Sequence, residues 1–209
     1  MDAWSRVFAL AYDPFLWMGE VRGVRALRGS LLSRARGRVL EIGAGTGLNL
    51  AHYPAAIELT LTEPEEPMAR RLERRSKATV VRAGAEKLPF ADGAFDSIVS
   101  TFVLCTVPDV RRAIAELRRV LAPDGQLLLI EHVRGEPGSR LARWQDRLHD
   151  PWHAFACGCH ANRDTPALLR EGGFELADVS GATWRGMPPV VRPIVYGTAV
   201  VDLTWKYAS

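Results

Sequence analysis

The stretch from Val39 to Gly47 constrains the fold most, because a short apolar run ends there in three glycines at alternate positions. The run Val39–Ile42 has the branched, apolar composition of a buried strand. Glycine carries no Cβ, so the backbone after this strand is free to turn sharply and to approach a ligand closely. We expect a helix to begin at Leu48 and run to His52, which would present free N–H groups to that ligand. Strand, glycine turn and helix form the first unit of a nucleotide-binding α/β domain.

The spacing of the glycines bears on which nucleotide would bind. The dinucleotide fingerprint Gly-x-Gly-x-x-Gly requires a third glycine where this chain has Leu48. Glu41 precedes the glycines, and its carboxylate would repel a pyrophosphate but attract a ligand that carries an ammonium and a sulfonium group. Two alternatives stay open at this point: a nicotinamide dinucleotide, and a structural turn that binds no ligand.

A second acidic residue, Glu63, closes the next apolar strand about 20 residues further along the chain. An acid at this place suits a ribose, because its carboxylate accepts hydrogen bonds from both the 2′ and the 3′ hydroxyl. The alternative is a surface acid that caps a helix beginning near Pro64, and the two roles are compatible.

The rest of the chain alternates strands and helices at a spacing that predicts a parallel sheet with right-handed crossovers. The predicted strands include residues 58–62, 79–82, 97–104 and 126–132, and the predicted helices include residues 64–75 and 110–121. A chain of 209 residues is long enough to form one large α/β domain.

The N-terminal segment differs from the rest in its helical apolar spacing and its many arginines. We expect residues 1–36 to form a helical cover over a domain of residues 37–209, with Tyr12 and Trp17 above the ligand site. The alternative is an amphipathic segment that lies on a membrane surface.

Five motifs occur in order along the first two thirds of the chain: Leu40–Gly47, Glu63, Ala85–Phe90, Phe95–Asp96 and Leu117–Gly125. Together they resemble the class I methyltransferases that use S-adenosylmethionine (SAM), and among these the methyltransferases of ubiquinone and menaquinone biosynthesis. The resemblance implies an α/β, single-domain, Rossmann-like sheet of seven strands in the order 3-2-1-4-5-7-6. It also implies an antiparallel last strand, helices on both faces, SAM as the cofactor and S-adenosylhomocysteine as the product.

The resemblance assigns the cofactor to the carboxyl ends of the strands. The glycine turn would take the methionine part, with Glu41 near its ammonium, and Glu63 would hold the ribose. Thr101 and Phe102 would line the methyl channel. The predicted cofactor residues are Glu41, Gly43, Ala44, Gly45, Thr46, Glu63, Pro64, Met68, Gly84, Ala85, Glu86, Thr101, Phe102 and Val103.

Motifs nearer the C-terminus are Glu131–Val133, Trp144–Gln145, Asp150–His153, Gly158–Cys159, Arg163–Thr165 and Arg192–Gly197. They resemble a narrower group, the vertebrate thiol S-methyltransferases, which implies a small lipophilic methyl acceptor with thiol sulfur favoured. A quinol carbon, a phenol oxygen and a phospholipid amine stay open as acceptors. A nicotinamide-dependent oxidoreductase and a non-catalytic SAM-binding protein are the alternatives from other classes.

A thiol acceptor must lose its proton, and His132 and His153 are the predicted general bases. His132 is favoured because it ends the fifth predicted strand, where open α/β sheets bind their ligands. A purely structural role is the alternative for each histidine. The predicted acceptor contacts are Tyr12, Trp17, Trp152, Cys159 and Tyr196.

Charge and cysteine spacing argue against several other functions. The formal charge is only +3, from 27 basic and 24 acidic residues, so we predict no nucleic-acid partner. Cys157 and Cys159 are separated by one residue and lack a second ligand pair, so we predict no metal, and Cys105 is assigned to the core. No apolar run reaches about 18 residues, which predicts no transmembrane segment. We expect a cytoplasmic protein that is a monomer or a homodimer.

Overall fold

In the computed structural model, which describes residues 13–205, seven strands join into one sheet. The strands are β1 (Arg38–Ile42), β2 (Glu58–Thr62), β3 (Thr79–Val81), β4 (Phe95–Thr101), β5 (Leu121–His132), β6 (Phe174–Thr183) and β7 (Pro193–Val201). Their order across the sheet is β3-β2-β1-β4-β5-β7-β6, and β7 is antiparallel to both of its neighbours. The pairs among the first five strands are parallel. The strand order implied by the resemblance is confirmed.

The helices that flank the sheet are α1 (Arg25–Leu32), α2 (Glu66–Arg75), α3 (Val110–Val120), α4 (Arg140–Arg147), α5 (His149–Phe155) and α6 (Thr165–Glu171). Two of them begin at aspartates whose side chains cap the first turn. Asp109 accepts a hydrogen bond from the N–H of Arg112 at 3.0 Å, and Asp164 accepts one from Ala167 at 3.1 Å. No helix within residues 13–205 has the length and apolar content needed to cross a membrane.

The helix expected from Leu48 does not form, and this expectation was wrong. Only one 3₁₀ turn, Leu50–His52, follows the glycine turn. Gly47, directly before the expected start, has a φ of +86°, and Tyr53 is already extended before Pro54, so only residues 48–52 lie between two non-helical positions. The segment after the glycine turn therefore presents no α-helix N-terminus to a ligand.

The N-terminal segment runs onto the sheet as a kinked helix. Residues 13–19 are helical, the π-helical turn Glu20–Val24 follows, and α1 continues the path. The kink lies at Gly23, whose φ is +138°. Leu31 and Leu32 of α1 are buried in the same apolar cluster as Val39 of β1. This segment therefore contributes to the core of one sheet face, while Tyr12 lies outside the described residues.

Apolar side chains cover both faces of the sheet. One face packs against α3 and α6 through a cluster that includes Ile114, Leu117 and Leu169. The other face packs against α1 and the segment between β6 and β7, which supplies Trp184 and Met187. The strand order reverses between β1 and β4, and at such a point an open α/β sheet leaves a crevice at the carboxyl ends of its strands.

Candidate active site

The carboxyl ends of β1, β2, β4 and β5 border a cavity of about 770 Å³. The predicted cofactor residues that line it are Gly43, Gly45, Glu63, Pro64, Met68, Gly84, Ala85, Glu86, Thr101, Phe102 and Val103. Both predicted bases, His132 and His153, line it as well. So do two of the predicted acceptor contacts, Trp152 and Cys159. One cavity therefore joins the residues predicted for the cofactor with those predicted for the acceptor.

The glycine turn forms a cradle that a side chain would fill. Gly43 and Gly45 have φ values of +53° and +58°, in the left-handed region that favours glycine. A Cβ on Gly43 would lie only 2.8 Å from Cγ2 of Val103. The N–H of Ala44 donates to the carbonyl of Thr62 at 2.9 Å, which ties the turn to the end of β2.

Glu63, directly after β2, forms a hydrogen bond with the glycine turn. Its Oε2 accepts a hydrogen bond from the N–H of Gly45 at 2.8 Å, and its Oε1 accepts one from Glu65 at 2.9 Å. The residue is only 5% exposed. Burial raises the pKa of the Glu63 carboxyl, and the two backbone hydrogen bonds lower it. Each carboxylate oxygen keeps a further lone pair for a ligand hydroxyl.

Glu41 does not border the main cavity, although the resemblance places it near the ammonium of the cofactor. Its carboxylate accepts hydrogen bonds from Nδ2 of Asn49 at 2.8 Å and from the hydroxyl of Tyr53 at 2.7 Å. Burial raises the pKa of Glu41 to about 7. Together with Ala44 and Thr46, Glu41 lines a small adjoining recess. The contacts of this carboxylate support the loop beneath the glycine turn.

Arg28, which was not among the predicted site residues, completes this polar network. The side chain is only 3% exposed, and it forms an ion pair with Glu20 at 3.0 Å. Its Nη1 donates to Asn49 at 2.6 Å and to Thr101 at 3.1 Å. The guanidinium also lies 5.6 Å from the centre of the Phe102 ring. Arg28 therefore links the kinked N-terminal helix to the ends of β1 and β4.

The loop after β4 has a strained backbone that a buried acid supports. Phe102 has a φ of +59°, which is uncommon for a residue with a side chain, and its ring stacks on Trp184 at 4.1 Å. Oε1 of Glu131 accepts hydrogen bonds from the N–H groups of Val103 at 3.0 Å and Leu104 at 3.1 Å. Glu131, at the end of β5, thus fixes the loop that carries Cys105.

Two cysteines and a histidine meet on the cavity wall. Nε2 of His132 lies 2.8 Å from Sγ of Cys159, and Nε1–H of Trp152 donates to the same sulfur at 3.1 Å. The hydrogen bond from Cys105, together with the contacts of His132 and Trp152, lowers the pKa of Cys159 to about 4. Burial raises the pKa of Cys105. Cys159 was predicted as an acceptor contact and Cys105 as a core residue, so their proximity was not predicted.

Two predicted acceptor contacts lie away from the cavity. Trp17 is 59% exposed and does not line it, because the helical turn that buries Leu16 directs the next side chain to solvent. Tyr196 lies on β7, the last but one strand of the sheet, opposite Ile130 and Ser180, and it does not line the cavity either. Tyr12, the remaining one, lies outside the described residues.

Comparison with known proteins identifies the class. Residues 40–129 match the model of a methyltransferase domain. The chain is 32% identical over 170 residues to the human thiol S-methyltransferase TMT1A, covering 78% of this chain and 70% of the relative. It is 33% identical over 189 residues to the demethylmenaquinone methyltransferase of Thermobifida fusca, covering 86% and 76%. Among solved structures, the fold resembles a Thermotoga maritima protein with a TM-score of 0.68 at 24% identity. That protein is described as a SAM-dependent methyltransferase and possible histamine N-methyltransferase. The match covers 95% of this chain and 97% of that one.

The fold and the cavity define a Rossmann-like, SAM-dependent methyltransferase, with the cofactor that the resemblance implied. Within that class, the chain belongs to the family that includes the thiol S-methyltransferases and the demethylmenaquinone methyltransferases. The residues present fit SAM. The glycine cradle would leave room for the methionine part, Glu63 would offer acceptor oxygens to the ribose, and Met68 would be an apolar neighbour for the adenine.

Proposed function

We propose that this enzyme transfers the methyl group of SAM to the sulfur of a small lipophilic thiol. The observation that carries the proposal is that one cavity of about 770 Å³ joins the glycine cradle and Glu63 to a wall with Trp152 and His132. The relatives named as thiol S-methyltransferases support sulfur as the acceptor atom.

Transfer from a sulfonium is an in-line displacement, so the main task of the protein is alignment. SAM, when bound, supplies an activated methyl carbon. We propose that the glycine turn and Glu63 orient the donor, while Thr101 and Phe102 border the path between donor and acceptor. Alignment of this kind supplies on the order of 7–11 kcal/mol of barrier reduction.

The acceptor must reach the reaction as a thiolate. A thiol with a pKa of about 8.5 is only a few per cent ionised at neutral pH. We propose that an imidazole on the cavity wall, His132 or His153, takes the proton, a contribution of about 10²–10⁴-fold in rate. Phe15 and Leu16 also line the cavity, which supports residues 1–36 as a cover over the domain of residues 37–209.

We further propose that the enzyme works in the cytoplasm as a monomer or homodimer on a small molecule. Cys105 and Cys159 are free thiols in the structure, which suits a reducing compartment.

A panel of acceptors tests the proposed function. Purified enzyme is incubated with labelled SAM and, separately, an alkyl or aryl thiol, a phenol, a reduced quinone and phosphatidylethanolamine, and the products are identified by mass spectrometry. We expect the methyl thioether to form fastest. Methylation of the quinol or phenol alone, with no thioether, would reassign the acceptor, and SAM binding without any product would favour a non-catalytic protein.

A further inference from the structure

Three buried ligand groups from separate parts of the chain come together on the cavity wall. Cys105 follows β4, His132 ends β5, and Cys159 follows α5. Their Sγ and imidazole nitrogen atoms all lie within 4.8 Å of one another, and all three residues line the cavity. We call these residues the Cys₂His cluster.

The backbone around the cluster is fixed before any ligand arrives. The N–H of His160 donates to the carbonyl of Cys105 at 2.8 Å, which joins the two cysteine loops. Cys157 has a φ of +47° and Gly158 one of +93°, and this left-handed turn precedes Cys159. The half-buried guanidinium of Arg163 donates to the carbonyl oxygens of Leu104 and Val107, on either side of Cys105. These contacts limit the movement of both sulfur atoms.

Two thiolates and one imidazole are a donor set that Zn²⁺ prefers. Zn–S bonds of about 2.3 Å and Zn–N bonds of about 2.0–2.1 Å in a tetrahedron separate the ligand atoms by about 3.6–3.8 Å. Nε2 of His132 and Sγ of Cys159, now 2.8 Å apart, would separate by less than about 1 Å to reach that geometry. The N–H of Trp152 already donates to Sγ of Cys159, as outer-shell donors do to metal-bound thiolates.

Three protein ligands leave one coordination position, as catalytic zinc sites do. We propose that Cys105, His132 and Cys159 bind Zn²⁺, and that the open position faces the cavity and takes the sulfur of the acceptor thiol. The identity of that fourth ligand rests on the proposed function, whereas metal binding by the cluster does not.

In the proposed reaction, one group takes the proton of the acceptor thiol and another binds its sulfur. The S–H bond of the acceptor breaks, the proton passes to His153, and the sulfur binds the metal as a thiolate. Methyl transfer then forms a carbon–sulfur bond in the acceptor. The donor loses its methyl–sulfur bond and keeps that electron pair on its own sulfur. His132 acts as a ligand in this scheme, which leaves His153 as the imidazole for the proton.

A second group of imidazoles lies close enough to compete for metal in an experiment. His149, His153 and His160 have ring centroids 4.7–5.6 Å apart, and Nε2 of His149 lies 2.9 Å from Nδ1 of His160. Metal bound by these three imidazoles alone would have no sulfur ligand, so a spectroscopic signal of thiolate coordination, tested with Cys157→Ser, separates the two sites.

The test is the binding of Zn²⁺ and Co²⁺ to the full chain, prepared under reducing conditions. We expect one Zn²⁺ per chain that resists a colorimetric chelator. The Co²⁺-substituted protein should show thiolate-to-cobalt charge transfer and the ligand-field bands of a tetrahedral site. Cys105→Ser and Cys159→Ser should each abolish the charge-transfer band or weaken metal binding at least about 100-fold. The matched controls Cys157→Ser and His149→Ala should retain it.

Addition of a small thiol without SAM should shift the ligand-field bands of the Co²⁺ protein. Folded wild-type protein that binds SAM but takes up neither metal would overturn the proposal, and this result does not depend on any variant folding. Metal binding without a shift on thiol addition would overturn the acceptor position. If the shift occurs but the acceptor panel yields no thioether, the cluster stands and the proposed function fails.

Discussion

The carboxylate of Glu63, at the end of β2, accepts a hydrogen bond of 2.8 Å from the backbone N–H of Gly45, in the turn after β1. This contact couples the acid predicted for the ribose to the glycines predicted for the methionine part. Because both groups lie on the cavity, a ligand that engages Glu63 also meets the turn that Glu63 supports.

Replacing Glu63 with glutamine should weaken SAM binding. The amide keeps one acceptor oxygen, but the charge-assisted hydrogen bonds are lost. A loss of about 1.5–3 kcal/mol corresponds to a roughly 10- to 100-fold higher Kd. Calorimetry with SAM measures this, with Glu73→Gln as the control, since Glu73 lies on α2 and pairs with Arg82 outside the cavity. Equal Kd values for the two variants would show that Glu63 does not bind the cofactor.

Gly43→Ala should damage both the fold and the cofactor site. Its Cβ would lie 2.8 Å from Val103, in addition to the strain of a left-handed residue. Gly93→Ala is the matched control, because Gly93 has a similar φ of +62° and its Cβ would make only an ordinary contact at 3.9 Å. We expect Gly93→Ala to lose about 1–2 kcal/mol of stability with unchanged SAM affinity, and Gly43→Ala to lose more, with affinity lowered at least about tenfold. Urea unfolding and calorimetry measure both quantities, and equal effects would contradict the cradle.

Arg28→Leu should be strongly destabilising. The substitution leaves the carboxylate of Glu20 and the amide of Asn49 without their buried partner, at a cost of about 3–5 kcal/mol. Arg25→Leu, on the exposed side of the same helix, should change stability by less than about 0.5 kcal/mol. Similar unfolding midpoints for the two variants would show that the Arg28 network does not contribute to stability.

Glu41 should make the stability of the enzyme depend on pH. Its pKa is about 7 in the folded protein, against 4.5 for the unperturbed group, because the carboxyl is buried. The folded state therefore holds a proton that the unfolded state releases, and the free energy of unfolding falls as pH rises from about 4.5 to about 7, by on the order of 3 kcal/mol. Glu41→Gln removes this contribution.

Urea unfolding at about pH 5 and about pH 7.5 gives the comparison for Glu41. We expect the wild type to lose more stability than Glu41→Gln over this interval. Arg28, Tyr53 and Glu63 face the same carboxyl and are present in both proteins, so the difference isolates Glu41. Parallel changes in the two proteins would contradict a raised pKa.

The sequence allowed the sheet to be predicted because its signals are local. The strands predicted at residues 39–42 and 58–62 form with nearly those bounds, as Arg38–Ile42 and Glu58–Thr62. The glycines and Glu63 lie at strand ends, so the parallel order brings them to one cavity. The helix expected from Leu48 did not form. Gly47 and Pro54 flank only a short segment, and the backbone is non-helical at Gly47 and at Tyr53, directly before Pro54.

The contacts on the acceptor side of the cavity join residues that are far apart in the sequence, so no local sequence pattern indicates them. Cys105 and Cys159 meet because the N–H of His160 bonds to the carbonyl of Cys105 across two loops. Arg28 looks like any arginine on a basic helix, and only the kink at Gly23 brings it to Glu20 and Asn49. The motifs Glu131–Val133 and Gly158–Cys159 indicated a site there, but neither of them indicates that Cys105 joins it.

If SAM and the thiol react with each other in one cavity, S-adenosylhomocysteine and the methyl thioether must form in a 1:1 ratio, and this ratio can be measured. Enzyme, SAM and a lipophilic thiol are incubated together, and S-adenosylhomocysteine and the methyl thioether are quantified in the same sample by mass spectrometry. We expect equal amounts of both products, with both lost in parallel in Glu63→Gln. S-adenosylhomocysteine without thioether, or no consumption of SAM by folded enzyme that binds it, would show that the thiol is not the acceptor or that no transfer occurs.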